Sequence, residues 1–265
     1  ALSREKTKLI KRLRNPRQRS REGSFLVEGI RAAGEFLKGG GKTRLRFAIL
    51  SPRLSLSEPG RQLEKSIRAS GLSAEEVGDA EMGDLSDTEH HQGVLMVVEE
   101  PTLTLSTLRA DRKSKFLILD GIQDPGNAGS LMRVAWAFGL EGVLCLEGSV
   151  DPYNPKVVRA SAGALAHVPV LKVPWAEVEG WLMKKGIPIL LADLGGSDIR
   201  TYSSPEGWVL AIGNEGAGPT EAIKSVARTT LTVPMEAGVD SLNAGLAGAI
   251  LLFSLVGNPG IGMEN

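Results

Sequence analysis

From Lys115 onward the chain alternates short apolar runs with helical patterns, and this alternation narrows the folds open to it. The runs are "KFLILD", "GVLCLE", "IPILLAD", "WVLAIG" and "TLTVPM", and helical stretches lie at 128–138, 155–165, 175–185, 219–227 and 241–256. Strands that are apolar throughout, rather than at every second residue, need cover on both faces. Joined by helices, they predict an α/β domain built on a mostly parallel sheet. Ligands of such sheets bind beyond the carboxyl ends of the strands. The loops after Asp120, Asp193, Gly213 and Met235 are therefore where chemistry is expected.

Before Lys115 the pattern is different. "SFLVEG", "LRFAILS" and "QGVLMVVEE" read as strands, with helices in "EGIRAAGEFLKGGG" and "EPGRQLEKSIRASG". This predicts a smaller αβ domain over residues 22–98, a linker at 99–114 and a second domain over 115–265. Residues 1–21 form a basic arm, with nine Lys or Arg against one acid, Glu5, in a chain of zero net charge. Such an arm suits a polyanionic partner, with a solvated basic helix or a targeting peptide as the other readings. Leu2, Leu9 and Leu13 share one helical face beside Ile10, so the arm can dock while its basic side stays wet. The chain begins at Ala1 rather than Met, which leaves open residues upstream.

Other classes find little support. The longest apolar run, "LAGAILLFSLVG", falls short of the roughly 18–20 residues of a membrane span, and no membrane partner is expected. A single cysteine, Cys145, rules out an internal disulfide and fits a reducing compartment, the cytoplasm or, alternatively, an organelle. It reads as a small core residue. Three histidines without nearby thiols argue against a zinc site, and no metal is expected.

Three loops carry the chemistry. In "LDGIQDPGNAGSLMRVAWAFG" (119–139), Leu131, Val134, Ala135 and Phe138 recur at helical spacing and face the sheet. Asn127 suits the N-cap of that helix and Arg133 lies off the apolar stripe; taken alone, they read equally well as a cap and a surface charge. In "LAIGNEGAGPTE" (210–221), glycines at 213, 216 and 218 let a ligand approach the main chain and supply bare N–H groups. The spacing is neither the dinucleotide fingerprint nor a P-loop. Glu215 in its middle would repel pyrophosphate, so the ligand is not a polyphosphate. In "VPMEAGVDSLNAGLAGAILLFSL" (233–255), Pro234 ends a strand, Ser241 or Asp240 caps a helix, and Asn243 lies in its first turn. Gly245 and Gly248 among alanines predict close backbone packing, against the helix's own sheet, another element or a second subunit.

Together "DPGNAGSLMRVAWAFG", "IGNEGAG" and "VPMEAGVDSLNAGLAGA" resemble the three ordered motifs of the SpoU/TrmH family of RNA ribose 2′-O-methyltransferases, over about residues 115–257. "REGSFLVEG" and "DTEHHQGVLMVV" resemble that family's accessory substrate-binding domain. Val134 stands where Thr or Ser is usual, and Asp240 where Glu is common. The resemblance implies an α/β fold with a C-terminal trefoil knot, an L30e-like N-terminal domain, S-adenosylmethionine as cofactor and a homodimer with the site near its interface. It implies catalytic positions at Asn127, Arg133, Glu215, Ser241 and Asn243. Cofactor contacts are implied at Gly213, Val233 and Leu242, largely through the backbone, with Ile212, Gly216 and Met235 as neighbours. The implied partner is structured RNA; the accessory domain and the basic arm favour a large target, ribosomal RNA, with transfer RNA as the alternative substrate. A guanidinium stays charged at neutral pH, so Arg133 is read as a phosphate clamp and alkoxide stabiliser rather than a literal base. Lys156 and Arg159, after "DPYNP", read as phosphate contacts or as plain surface charges. Two other readings are an RNA-binding protein that keeps the fold without catalysis, and a nucleotide-dependent oxidoreductase, which the missing fingerprint disfavours.

Overall fold

The computed structural model describes residues 2–39 and 44–257. The chain divides into two compact units, the first comprising residues 1–102 and 151–167, the second residues 103–150 and 168–265. Glycines 40 and 41 of the expected "LKGGG" helix stop lie outside the described residues.

The first unit opens with helices α1 (Arg4–Leu13) and α2 (Pro16–Glu22). Ser3 caps α1 through the Lys6 N–H, and Asn15 caps α2 ahead of a proline at its first position. Then follow β1 (Ser24–Glu28), α3 (Ile30–Lys38), β2 (Leu45–Leu50), α4 (Glu58–Ala69), β3 (Ala74–Glu76), α5 (Asp79–Leu85) and β4 (Val94–Glu99). The sheet order is β1-β4-β2-β3, antiparallel except for the β2–β3 pair. The sequence pattern did not signal β3 or α5, which are short and mostly polar.

The basic segment is not a free arm. Leu9, Ile10 and Leu13 are buried in one core cluster with Leu26, Phe47 and Ile49. Arg19 is fully buried: its guanidinium donates to Asp151 Oδ2 at 2.6 and 3.0 Å and to the carbonyls of Leu13 and Arg14. Lys6 pairs with Glu75, and Arg12 with Glu22. Arg4, Lys8, Lys11, Arg17 and Arg21 remain exposed as the wet basic surface. Deleting residues 1–21 would therefore strip the core of this unit and not merely its charge. Arg19→Leu is expected to cost about 3–5 kcal/mol, because it leaves a carboxylate and two carbonyls without their donor. A fall in the urea midpoint measures this, and Arg17→Leu, on the exposed side, should leave the midpoint in place.

The second unit contains β5 (Lys115–Asp120), α6 (Pro125–Ala137) and β6 (Gly142–Cys145). The chain then departs through α7 (Pro155–Ala160), which belongs to the first unit, and returns as β7 (Val170–Lys172). After it come α8 (Trp175–Lys185), β8 (Ile189–Asp198), β9 (Trp208–Gly213), α9 (Glu221–Val226), β10 (Thr229–Thr232) and α10 (Ala244–Val256). The six strands run in the order β10-β8-β9-β5-β6-β7 and every pairing is parallel. The expected parallel α/β sheet is present. The stretch 155–165, read as one of its covering helices, is instead part of the first unit, where α7 packs on β1 and Tyr153 stacks against Phe25. From β5 the chain moves outward through β6 and β7, then crosses to β8 and β9 on the other side. The β5/β9 boundary is thus the topological switch point, where a ligand crevice is expected.

Helix α10 carries no polar face: Leu251, Leu252 and Leu255 are buried, yet Leu246, Ile250 and Phe253 are 60, 41 and 56 % exposed. It packs on α6, β9 and the turn at Ile199–Thr201, and Ser204 Oγ donates to its Leu255 carbonyl at 3.0 Å. A Cβ on Gly248 would overlap the side-chain tips of Leu131 and Ile212, which accounts for the close packing expected from the small residues. Among the described residues, no helix is long and apolar enough to cross a membrane.

Candidate functional site

The site is built on the ends of β5 and β9. Asp120, the last residue of β5, is buried and accepts the Thr220 N–H at 2.6 Å, pinning the start of α9 to the neighbouring strand. Asn214 donates from Nδ2 to the Gly121 carbonyl at 2.8 Å, while its Oδ1 accepts from Gly216 N and Ala217 N. Main-chain bonds between Asn214 and Gly218 close the turn. The N–H groups of Gly216, Ala217 and Gly218 are thus used internally. The loop does not supply the bare donors expected of it, and it is no anion cradle. What the glycines provide is close approach.

Gly213 shows why. A Cβ there would overlap the backbone of Pro219, which cannot move without opening the turn. Gly213→Ala is expected to destabilise the protein by about 1–3 kcal/mol through this overlap. A Cβ on Gly216 would meet only Asn214 Oδ1, at 3.7 Å, so Gly216→Ala is expected to leave the urea midpoint nearly unchanged.

The helix after β5 is capped by Asp124, not by Asn127. Asp124 Oδ1 accepts the Asn127 N–H at 2.7 Å, and the helix begins at Pro125. Both Asp and Asn are good caps, and proline favours the first helical position, so Asp124 takes the role. Asn127, in the first turn and buried, is left free to donate from Nδ2 to Glu215 Oε1 at 2.9 Å. This bond spans the crevice at the switch point. A second correction concerns α10. Its cap is Asn243, whose Oδ1 accepts from Gly245 N and Leu246 N, whereas Asp240 and Ser241 lie in the preceding exposed loop. The strand before that loop ends at Thr232 rather than at Pro234.

Next to the crevice lies a cleft of about 530 Å³, within the usual range of small-molecule sites, ~300–1,000 Å³. Ile212, Gly213, Gly216, Val233 and Leu242 line it, together with Glu215, Ser241 and Asn243. Met235 is half-buried and outside the lining. Asn127 reaches the cleft through Glu215. Arg133 stands exposed on α6, outside the cleft, with no ion pair or side-chain hydrogen bond among the described residues. It is six residues beyond Asn127, about 9 Å along the axis and turned well away from it.

Residues that the sequence reading passed over also matter here. Asn214 organises the glycine turn, and Asp193, Lys224, Ala244 and Leu251 add to the lining. The hydrogen bond to Glu221, foremost, holds the Lys224 ammonium above its ordinary pKa, and the Asp193 charge adds to the effect. The "GNEG" spacing was a signal for Asn214, since an Asn before a glycine turn bonds the backbone two residues on. Nothing local marks Lys224. With the loop donors consumed and the Glu215 and Asp193 carboxylates at the cleft, the site suits a ligand with a cationic centre rather than a phosphate.

Comparison with known proteins identifies the family. Residues 114–253 match the SpoU rRNA methylase family, and residues 4–96 match an MRM3-like substrate-binding domain. The chain is 31% identical, over 96% of both chains, to the 23S rRNA (guanosine(2553)-2′-O)-methyltransferase RlmP of Bacillus subtilis. Among solved structures, the SpoU methyltransferase AviRb of Streptomyces viridochromogenes in complex with AdoMet matches with a TM-score of 0.82 and 28% identity, over 95% of this chain and 97% of that one. An AdoMet-bound rRNA methyltransferase from Sinorhizobium meliloti matches with a TM-score of 0.83 and 25% identity, over 96% and 95%. The chain belongs to the SpoU rRNA methylase family, RNA ribose 2′-O-methyltransferases that use S-adenosylmethionine.

Proposed function

We propose that the protein methylates a ribose 2′-hydroxyl in ribosomal RNA, in the cytoplasm, as a homodimer whose C-terminal segment is knotted. The observation that carries this reading is the glycine-walled cleft joined, through the Asn127–Glu215 bond, to the crevice between β5 and β9. The cofactor would be held by the main chain around Gly213, Val233 and Leu242, with Ile212 and Gly216 beside it. When bound, S-adenosylmethionine supplies a sulfonium methyl group that a hydroxyl oxygen can displace. The residues then have two tasks, alignment of that oxygen and stabilisation of the charge it develops.

Asn127 and Glu215 fix the two loop tips against each other. Asn243 sets the start of α10 and with it the cleft wall, and Ser241 presents a hydroxyl beside it. Arg133 is the group left to grip RNA: a charged, unpaired guanidinium suits a phosphodiester and a forming alkoxide. It does not line the cleft of its own chain, and the helix packed against α6 carries the apolar face Leu246, Ile250 and Phe253. Covering that face with a second copy would remove apolar surface from water and let Arg133 serve the partner's cleft. The knot is inferred from the family resemblance; α10, the segment it would involve, packs on α6 and β9 and is bonded from Ser204.

The test is methyl transfer from labelled S-adenosylmethionine to 23S ribosomal RNA, with transfer RNA as the comparison. Label in ribose 2′-O-methyl nucleotides of the ribosomal RNA is the expected result. Label only in transfer RNA would overturn the substrate, and label in neither would overturn the activity.

A further inference from the structure

We propose that the first unit holds a nucleotide-recognition pocket that takes one unpaired base of the RNA, built jointly by the N-terminal part of the chain and by the inserted segment Asp151–His167. The inference rests on the RNA substrate argued above and goes beyond it by naming where sequence is read.

The pocket is a recess of about 310 Å³ bounded by α3, α5, β4 and the end of α7. Its walls include apolar Ala32, Met82, Val94 and Leu95, and five titratable groups belong to its lining: Arg31, Arg159, His90, His91 and Glu28. Arg31 and His90 are exposed, and neither has a side-chain partner among the described residues. Arg159 is half-buried and its only carboxylate partner among the described residues, Asp87, stands at 3.5 Å, a loose pair that a ligand can replace. Glu28 is an acid in the same wall, but Ser86 Oγ at 2.9 Å and Asp87 N at 3.0 Å hold its oxygens, and two guanidinium groups in the lining stand against its charge. His91 is likewise occupied, with Nδ1 accepting from Gly93 N and Nε2 facing the Asp79 carbonyl. Apolar walls with guanidinium groups beside them suit a base, its ribose and the adjoining phosphate. RNA is read in sequence mainly through unstacked bases, which stack on histidine or arginine planes.

Two further observations point the same way. Ala162, which lines the pocket, is the one non-glycine residue among those described with a left-handed backbone, φ 50°. That conformation costs of order 1 kcal/mol or more and tends to persist at functional sites. Gly163 follows it at φ 95°, where a Cβ would crowd Glu35 of α3, and the bonds Ala162 N–H to Arg159 O and Ala164 N–H to Ser161 O close the turn on either side. Second, the recess adjoins a groove of about 570 Å³ between α3 and α4, and Arg31 and Gln92 line both. A strand could therefore place successive nucleotides on either side of Arg31. The basic helices reach the same place: Arg14, at the end of α1, donates to the Ser86 carbonyl at 2.7 Å in the pocket wall.

The test uses fluorescent single-stranded pentamers rA5, rC5, rG5 and rU5 and a blunt 12-base-pair RNA duplex, titrated at several salt concentrations. The wild-type protein is expected to bind one pentamer about tenfold or more tightly than the others, the discrimination of one hydrogen-bonded base edge. R31Q/R159Q is expected to erase that preference while changing duplex affinity by less than about threefold, with S-adenosylmethionine affinity unchanged. R17Q, on the exposed basic helix, should weaken all ligands alike and keep the preference. A R31Q/R159Q protein with an unchanged melting temperature and an unchanged base preference overturns the pocket, as does a wild-type protein that binds the four pentamers equally. Uniform loss of every RNA would instead mark the two arginines as plain phosphate contacts, and the pocket would fall with it. A base preference that depends on Arg31 and Arg159, in a protein that methylates no ribosomal RNA, would uphold the pocket and sink the substrate assignment.

Discussion

Arg133→Ala is expected to lower kcat/KM on ribosomal RNA by about 10²–10³-fold, the usual consequence of removing one group that stabilises developing charge. S-adenosylmethionine affinity should stay within about twofold, because Arg133 does not line the cleft. The more telling result comes from mixing. R133A and E215A are each expected to be nearly inactive as purified proteins. If the guanidinium of one copy serves the cleft of the other, a mixed dimer of R133A and E215A contains one wild-type site, formed by Arg133 from the E215A copy and Glu215 from the R133A copy. Co-refolding or co-expressing the two in equal amounts should then restore about a quarter of wild-type activity, the value set by random pairing of two equivalent chains. If both groups act within one chain, the mixture stays as inactive as its components. A protein that runs as a monomer in sedimentation at micromolar concentration would dismiss the arrangement at once. Phe253→Glu, on the exposed face of α10, offers the matching control: it should dissociate the dimer and abolish transfer without touching the cleft lining.

Much of the fold was legible because burial imposes periodicity. Strands such as β5 and β9 are buried at nearly every residue, and their unbroken apolar runs announced a doubly covered parallel sheet. What escaped was what periodicity does not encode. Segment 155–165 has a helical pattern wherever it packs, and only contacts with β1 and α3 assign it to the first unit. The cap of α6 was misplaced by three residues because Asp124 and Asn127 are both competent caps; a proline at 125 decides between them. Arg19 counted as one more cation in a basic segment, and nothing local shows that Asp151, far along the chain, buries it. At the site, residue identity was more legible than geometry. Glu215 and Asn243 could be singled out from loop chemistry; Asn243 bonds the first turn of its own helix, but the partner of Glu215 belongs to another element. The Asn127–Glu215 bond joins positions 88 residues apart, so no spacing rule could find it.

That bond supports the second large effect. Asn127→Asp should weaken S-adenosylmethionine binding by about 10²-fold at neutral pH. The substitution replaces a donor 2.9 Å from the Glu215 carboxylate with a second carboxylate. Two like charges at this distance repel by about 4 kcal/mol or more at an effective dielectric near 20, partly relieved as the loop moves outward. Glu215 lines the cleft, and its turn is tied to the β5 side through Asn214, through the bond to Asn127, through the Gln123 N–H at 3.5 Å from Glu215 Oε2 and through Asp120 at Thr220, so an outward shift of Glu215 strains these ties and deforms the cofactor wall. Asn127→Ala removes the attraction without adding repulsion and should cost less, about tenfold, the scale of one hydrogen bond to a charged group. The decisive variant is N127D/E215Q. It puts an amide opposite a carboxylate with donor and acceptor exchanged, so the contact can re-form in the reverse sense. Cofactor affinity should recover to within about tenfold of wild type, giving a coupling energy of about 1.4 kcal/mol or more in the double-mutant cycle. Catalysis need not recover with it, since the negative charge now stands on α6 instead of the glycine turn. Calorimetric titration separates the two quantities. Additive losses, with N127D/E215Q binding more weakly than either single variant, would show that the two side chains act independently and that the bridge across the crevice does not hold the cleft in shape.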